Sequence, residues 1–221
     1  MTLLHRDDPN AEPLVGNIKV TREDWLNMAR DVLISDGVSQ VKVLGLADRM
    51  GVSRSSFYWY FKSRQDLLDA LLTQWDATNT AALLSQAQAP ARTITGAVCN
   101  IFRCTANPDL FSTALDFAIR DWSRRSKQVR AMLDGSDTRR LHALSAMFAR
   151  YGYPPSEAET RARVLYFMQL GYDMADLNED ADARLERVAD YVQVFTGKKV
   201  DEAELNDFVT YARSHWTKAS P

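Results

Sequence analysis

The sequence predicts an all-α fold in two parts, a small N-terminal three-helix unit and a larger helical one. Three observations carry that expectation. No stretch of the 221 residues alternates apolar and polar side chains with period two, as a half-buried strand would. Beyond residue 20, apolar residues instead recur three and four positions apart, the spacing that gives a helix one buried face. Finally, Gly51-Val52-Ser53 separates two short amphipathic segments, Lys42–Met50 and Arg54–Phe61. A glycine can end the first helix with φ > 0, and a serine can cap the second.

Composition narrows the classes of function. Hydrophobic residues make up 46% and charged residues 25% of the chain, ordinary for a soluble globular protein. The net charge of −2 excludes a chain that is basic throughout, so any nucleic-acid contact must rest on a local patch. Such a patch is present: Arg49, Arg54, Lys62 and Arg64 fall within residues 49–64 with no acid among them. Cys99 and Cys104, five apart, would lie about 140° apart on a helix, which suits neither a disulfide nor a shared metal. They read as free, small apolar residues of a reducing compartment. The first 17 residues lack the basic-then-apolar pattern of a signal peptide. The densest apolar run, Val164–Tyr172, is too short to span a bilayer. The expectation is a cytoplasmic protein with no membrane partner.

Residues 1–17 read as a flexible arm with only His5 and Arg6 as donors. Thr21 caps the first helix, with Glu23 and Asp24 at the positive end of its dipole. Trp25, Met28, Ala29, Val32 and Leu33 form its core stripe, and Asp36-Gly37 ends it. The two segments around Gly51 then follow. Ala47 is small enough for close helix crossing, and Leu46, Met50, Val52, Phe57 and Phe61 can fill the space between them. This is the wiring of a helix-turn-helix over about residues 42–61, in which the second helix enters a major groove. Two readings are open for Trp59 and Tyr60: packing against neighbouring helices, or contact with a partner. On the second, Arg54 or Ser56 reads a base edge while the aromatics touch sugar, phosphate and thymine methyl groups. Ser63, with Asp66 three residues on, caps the next helix, whose free N–H groups and Arg64 can hold a phosphate.

Residues 21–72 resemble the DNA-binding domain of the TetR family of bacterial transcriptional regulators. The stretch Leu46-Ala47-Asp48-Arg49-Met50-Gly51-Val52-Ser53-Arg54-Ser55-Ser56-Phe57-Tyr58-Trp59-Tyr60-Phe61-Lys62-Ser63-Arg64 is similar to that family's signature. It matches the alanine, the turn glycine, the valine-serine, the tyrosine and the closing phenylalanine. Phe57 stands where leucine is more usual, and Leu44 where members often place a polar residue, which leaves Lys42 to supply that contact. The resemblance implies that Arg54 and Ser55 reach base edges. It implies backbone, sugar or methyl contacts from Ser56, Tyr58, Trp59 and Tyr60, and a phosphate clamp at Arg64. Ser53 and Lys62 complete the expected DNA-contacting set. The implied partners are a double-stranded DNA operator, a second copy of the chain, and a small-molecule effector.

The expected domains are 18–78 and 79–221, with Ser85–Ala91 as an uncharged break. The second should hold helices at about 94–105, 108–122, 126–150, 156–177, 182–196 and 202–217. The 156–177 helix is apolar almost all round and needs cover on more than one face, so 156–177 with 182–196 is the expected homodimer surface, the alternative being that these two and the 202–217 helix are all monomer core. Phe102, Phe111, Phe117, Trp122, Met147, Phe148, Tyr166 and Met168 exceed what a small bundle needs, and some of them are expected to line a pocket for an apolar or aromatic effector. Asp116 and Asp121 could line it too. No Gly-rich phosphate loop, HExxH or Cys-x-x-Cys is present, so no enzyme, cofactor or metal is expected. The leading expectation is a repressor released from a palindromic operator by its effector. The alternatives are an activator or partner-controlled regulator of the same fold, and a helical small-molecule-binding protein without DNA function.

Overall fold

The computed structural model describes residues 20–175, 177 and 179–216; the expected arm at 1–17 lies outside them. Every regular element among them is helical. They fall into two compact units divided between Leu68 and Asp69, ten residues earlier than the expected boundary. No weak spot marks that division, because it lies inside a helix.

The first unit holds α1 (Arg22–Asp36), a 3₁₀ turn Val38–Gln40, α2 (Val43–Met50), a 3₁₀ helix Arg54–Trp59 and the start of α3 (Arg64–Trp75). Local signals set these limits. Thr21 and Asp24 exchange side chain–backbone bonds in a capping box that opens α1. Gly51 ends α2 at φ 66, ψ 32, and the N–H of Val52 reaches back to the carbonyl of Ala47. That left-handed cap suits a glycine and closes the carbonyls α2 leaves open. Ser53 Oγ then accepts from the N–H of Ser55 and starts the 3₁₀ helix. Trp25, Leu46, Ala47, Phe57, Phe61 and Leu67 form the core. Phe57 is its centre, edge-on to Trp25 at 5.2 Å and stacked on Phe61 at 5.5 Å.

The second unit takes the rest of α3, a π-helical turn Asp76–Thr80, α4 (Ala81–Gln88), α5 (Ile94–Ala106), α6 (Thr113–Ser123), α7 (Lys127–Arg150), α8 (Pro155–Met174), α9 (Ala181–Glu186), α10 (Val188–Thr196) and α11 (Glu202–Trp216). α5 is buried along nearly its whole length and packs against α4, α10 and α11; α7 packs against α4, α6 and α8. The expected helix at 182–196 is two helices, α9 and α10, meeting at Arg187. Cys99 and Cys104 are free and buried, and burial pushes both thiols up to about 12. No helix among the described residues is long and apolar enough to cross a membrane.

Candidate functional site

The turn at Gly51-Val52-Ser53 leaves one face of the Arg54–Trp59 helix in solvent. Phe57 points inward and is fully buried. Trp59 is 81% and Tyr58 49% exposed, and Leu44 at the start of α2 is also open. Arg54 lies over the Tyr58 ring and donates through Nη2 to its hydroxyl at 3.0 Å. That bond holds the guanidinium above the exposed face. The segment is 3₁₀, and three residues per turn rotate Tyr58 off the Phe57 face.

The other expected contacts divide. Lys42, Ser53, Ser55 and Lys62 are exposed. The hydroxyls of Ser53 and Ser55 bond each other, while Ser56 Oγ donates to the Ser53 carbonyl at 2.7 Å, so the serines build the turn. Tyr60, expected on the DNA-facing side, is half-buried and its hydroxyl donates to the Val20 carbonyl at 2.8 Å. Arg64, expected to clamp a phosphate, is turned inward: Nε and Nη2 donate to the carbonyls of Val41 and Val38. It holds the segment that leads into α2. Arg49, counted in the local positive patch, is paired with Asp36 at 2.6 Å. The outward cations of this surface are therefore Lys42, Arg54 and Lys62. At the start of α3, Ser63 Oγ accepts from the N–H of Asp66, whose carboxylate accepts from the N–H of Lys62. This is the capping arrangement read from the sequence.

In the second unit a cavity of about 40 Å³ lies among α4, α5, α6, α7 and α8. That is room for a water or two rather than a ring, so a ligand of any size must spread its walls. Of the residues expected to line a pocket, Phe111, Phe117 and Tyr166 do so, with Leu83, Ile101, Leu144 and Leu165. Phe102 and Met168 line an adjoining space with Tyr172, Tyr191 and Trp216. Trp122, Met147 and Phe148 line neither; they are buried in packing. Asp121 is exposed, whereas Asp116 lines the cavity.

Composition gave no sign of how polar one wall is. Asp116 is 2% and Arg140 0% exposed. Arg140 Nη1 donates to Asp116 Oδ1 at 2.9 Å and to the Tyr166 hydroxyl at 3.2 Å, while its Nε donates to Thr80. Arg120 joins the cluster, with Nε on Asp116 at 3.0 Å and both terminal nitrogens on Asp137. Trp75 Nε1 donates to Asp116 at 3.0 Å. Burial pushes the Tyr166 phenol well above its usual range. Further along α8, Asp173 lines the same cavity and accepts from Gln169 Nε2 at 2.9 Å. Burial raises its carboxyl to about 6.

Residues 26–71 match the family described as bacterial regulatory proteins, tetR family. The tetracycline repressor protein class C of Escherichia coli is 38% identical over 53 residues, an alignment that covers 24% of this chain and 24% of that repressor. The match thus spans about a quarter of the curated relative's length. Among solved structures, Mycobacterium smegmatis AmtR superposes with a TM-score of 0.60 at 16% identity, covering 93% of this chain and 98% of that one. The reduced form of E. coli NemR gives 0.56 at 19% identity over 89% and 97% of the two chains. Salmonella enterica GusR gives 0.56 at 17% identity over 95% and 100%. At such identities these likenesses speak for the fold alone. Residues 26–71, which contain the glycine-capped turn, thus match the tetR family of bacterial regulatory proteins, and the whole-chain likenesses add the fold.

Proposed function

We propose that the chain is a homodimeric repressor that releases a palindromic operator when a small molecule enters its C-terminal unit. The exposed face of Arg54–Trp59 carries the reading. A tryptophan left 81% in solvent beside a tyrosine-braced arginine is costly without a partner, and a groove edge supplies one. Arg54 and Ser55 read base edges. Tyr58 and Trp59 lie against sugar and methyl groups, and Lys42 and Lys62 neutralise phosphates. Tyr60 and Arg64 act as positioning residues, because their polar groups are engaged inside the unit.

Support for a second copy comes from α8. Val164, Phe167, Gly171 and Met174 fall at i, i+3, i+7 and i+10, and all four are exposed, Phe167 at 51%. A Cβ on Gly171 would meet nothing, so a partner helix can approach closely there. Val194 of α10 is also bare. A two-fold pairing would bury these side chains and place two reading segments on one face of a duplex.

Effector action follows from the small cavity. A ligand must displace its walls, and the cavity-lining Asp116 holds Trp75, the last residue of the helix that begins at Arg64. The ligand shifts the equilibrium only by the difference in its affinity for the two conformations. The test is binding to a mixed-sequence duplex across salt concentrations. The logarithmic salt slope should flatten by about 0.9 for each of Lys42→Ala and Lys62→Ala. Trp59→Ala should weaken binding with the slope unchanged. Affinity untouched by all three would refute the assigned surface.

A further inference from the structure

The carboxylate of Asp173 stands out in the second unit. The buried cluster beside it is balanced: Arg120 and Arg140 against Asp116 and Asp137. Asp173 adds a negative charge to the same cavity, and the cation that faces it, Arg184, makes no direct ion pair with it among the described residues. Among the described residues its hydrogen bond is to the neutral amide of Gln169, and it makes no ion pair. The charged groups that face it from neighbouring elements are Asp116 of α6 and Arg184 of α9. Asp116 repels it. Arg184 attracts it from a distance, its guanidinium held 4.7 Å from the Tyr172 ring and 5.3 Å from the Trp216 ring. The α4, α5 and α7 walls contribute Leu83, Ile101, Thr105 and Leu144, with Cys104 held as a neutral thiol by burial.

A largely desolvated carboxylate with no direct ion pair, beside a second carboxylate in the same cavity, is unfavourable, and a protein that keeps one gains when a cation arrives. The adjoining space points the same way. Its aromatic walls already hold a cation, the guanidinium of Arg184, by ring-face attraction. We propose that the effector is an organic cation with an apolar or aromatic body, and that Asp173 is its counter-ion. This rests on the C-terminal unit being the effector domain. It adds a positive charge to the apolar or aromatic effector expected from the sequence.

The test uses the full chain and two probes of near-equal size, benzylamine and benzyl alcohol, titrated by calorimetry. Benzylamine should bind about tenfold tighter than the alcohol, the scale of one partly buried charge pair. Its affinity should rise as pH passes upward through about 6, where Asp173 ionises, while the alcohol shows no such step. Asp173→Asn should remove both the preference and the step, and the pH arm needs no variant to fold. Equal binding of both probes would overturn the cation assignment and leave the effector reading standing. Binding of neither at millimolar concentration would overturn both. A preference that persists in Asp173→Asn would overturn the role given to this carboxylate.

Discussion

Replacing Arg140 by methionine would leave Asp116 buried with one cation fewer. Arg140 is wholly enclosed and gives one charge-assisted hydrogen bond to Asp116, with further bonds to Tyr166 and Thr80. It also lies over the rings of Trp75 and Phe111. Removing one member of a buried ion pair typically costs about 3–5 kcal/mol, because the remaining charge keeps its desolvation penalty. Arg120 still holds Asp116, which puts the expected loss near the lower end, about 3 kcal/mol. For a domain of this size that lowers the melting temperature by about 6–12 °C. The adjacent residue provides the control. Arg139 bonds Asp76 from a half-exposed position, so Arg139→Met should cost under about 1 kcal/mol. Thermal unfolding followed by circular dichroism measures both. Equal losses in the two variants, or an Arg140→Met protein within about 1 kcal/mol of the parent, would refute the claim that the cluster is held by buried charge.

Other expectations test separate parts of the structure. Gly96→Ala would drive a methyl into the carboxylate of Glu204, which reaches across from α11 to accept from the N–H groups of Arg92 and Thr93. Denaturant unfolding should show a loss of about 1–3 kcal/mol, and less than additive loss when Gly96→Ala and Glu204→Ala are combined. With their thiols pushed up to about 12, Cys99 and Cys104 should resist iodoacetamide at pH 8 in the native protein and both react once it is denatured. Asp173 binds its proton more tightly folded than unfolded, so between its ordinary 3.8 and about 6 stability should fall as pH rises. Asp173→Asn should flatten that slope and raise the melting temperature at neutral pH, by an amount equivalent to at most about 2–3 kcal/mol.

Much of the N-terminal unit was legible because its signals are local. The cap at Thr21, the glycine that ends α2 and the serines that open the next two helices each act within four residues, and the structure forms every one. The fates of Arg49, Tyr60 and Arg64 were not legible, because their partners Asp36, Val20, Val38 and Val41 are brought near only by the folded chain. In the second unit, periodicity marked the helices but not the break at Arg187, where neither glycine nor proline stands. Nor does spacing separate Arg139 from Arg140. A rotation of about 100° between adjacent helical residues puts one in solvent and the other in the core. The aromatic residues suggested a cavity, but its character is set by Asp116 and Asp173, which in sequence look like ordinary helix-surface acids.

Selection of bound duplexes from a random DNA pool tests the central claim most directly, because DNA reading, pairing of two chains and half-site spacing are all recorded in one enriched sequence. An inverted repeat is expected, with half-sites centred about one helical turn, or a multiple of it, apart. Arg54→Ala should enrich a visibly more degenerate half-site. Recovery of no preferred sequence, or of a single unrepeated site equally well defined with Arg54→Ala, would contradict that claim.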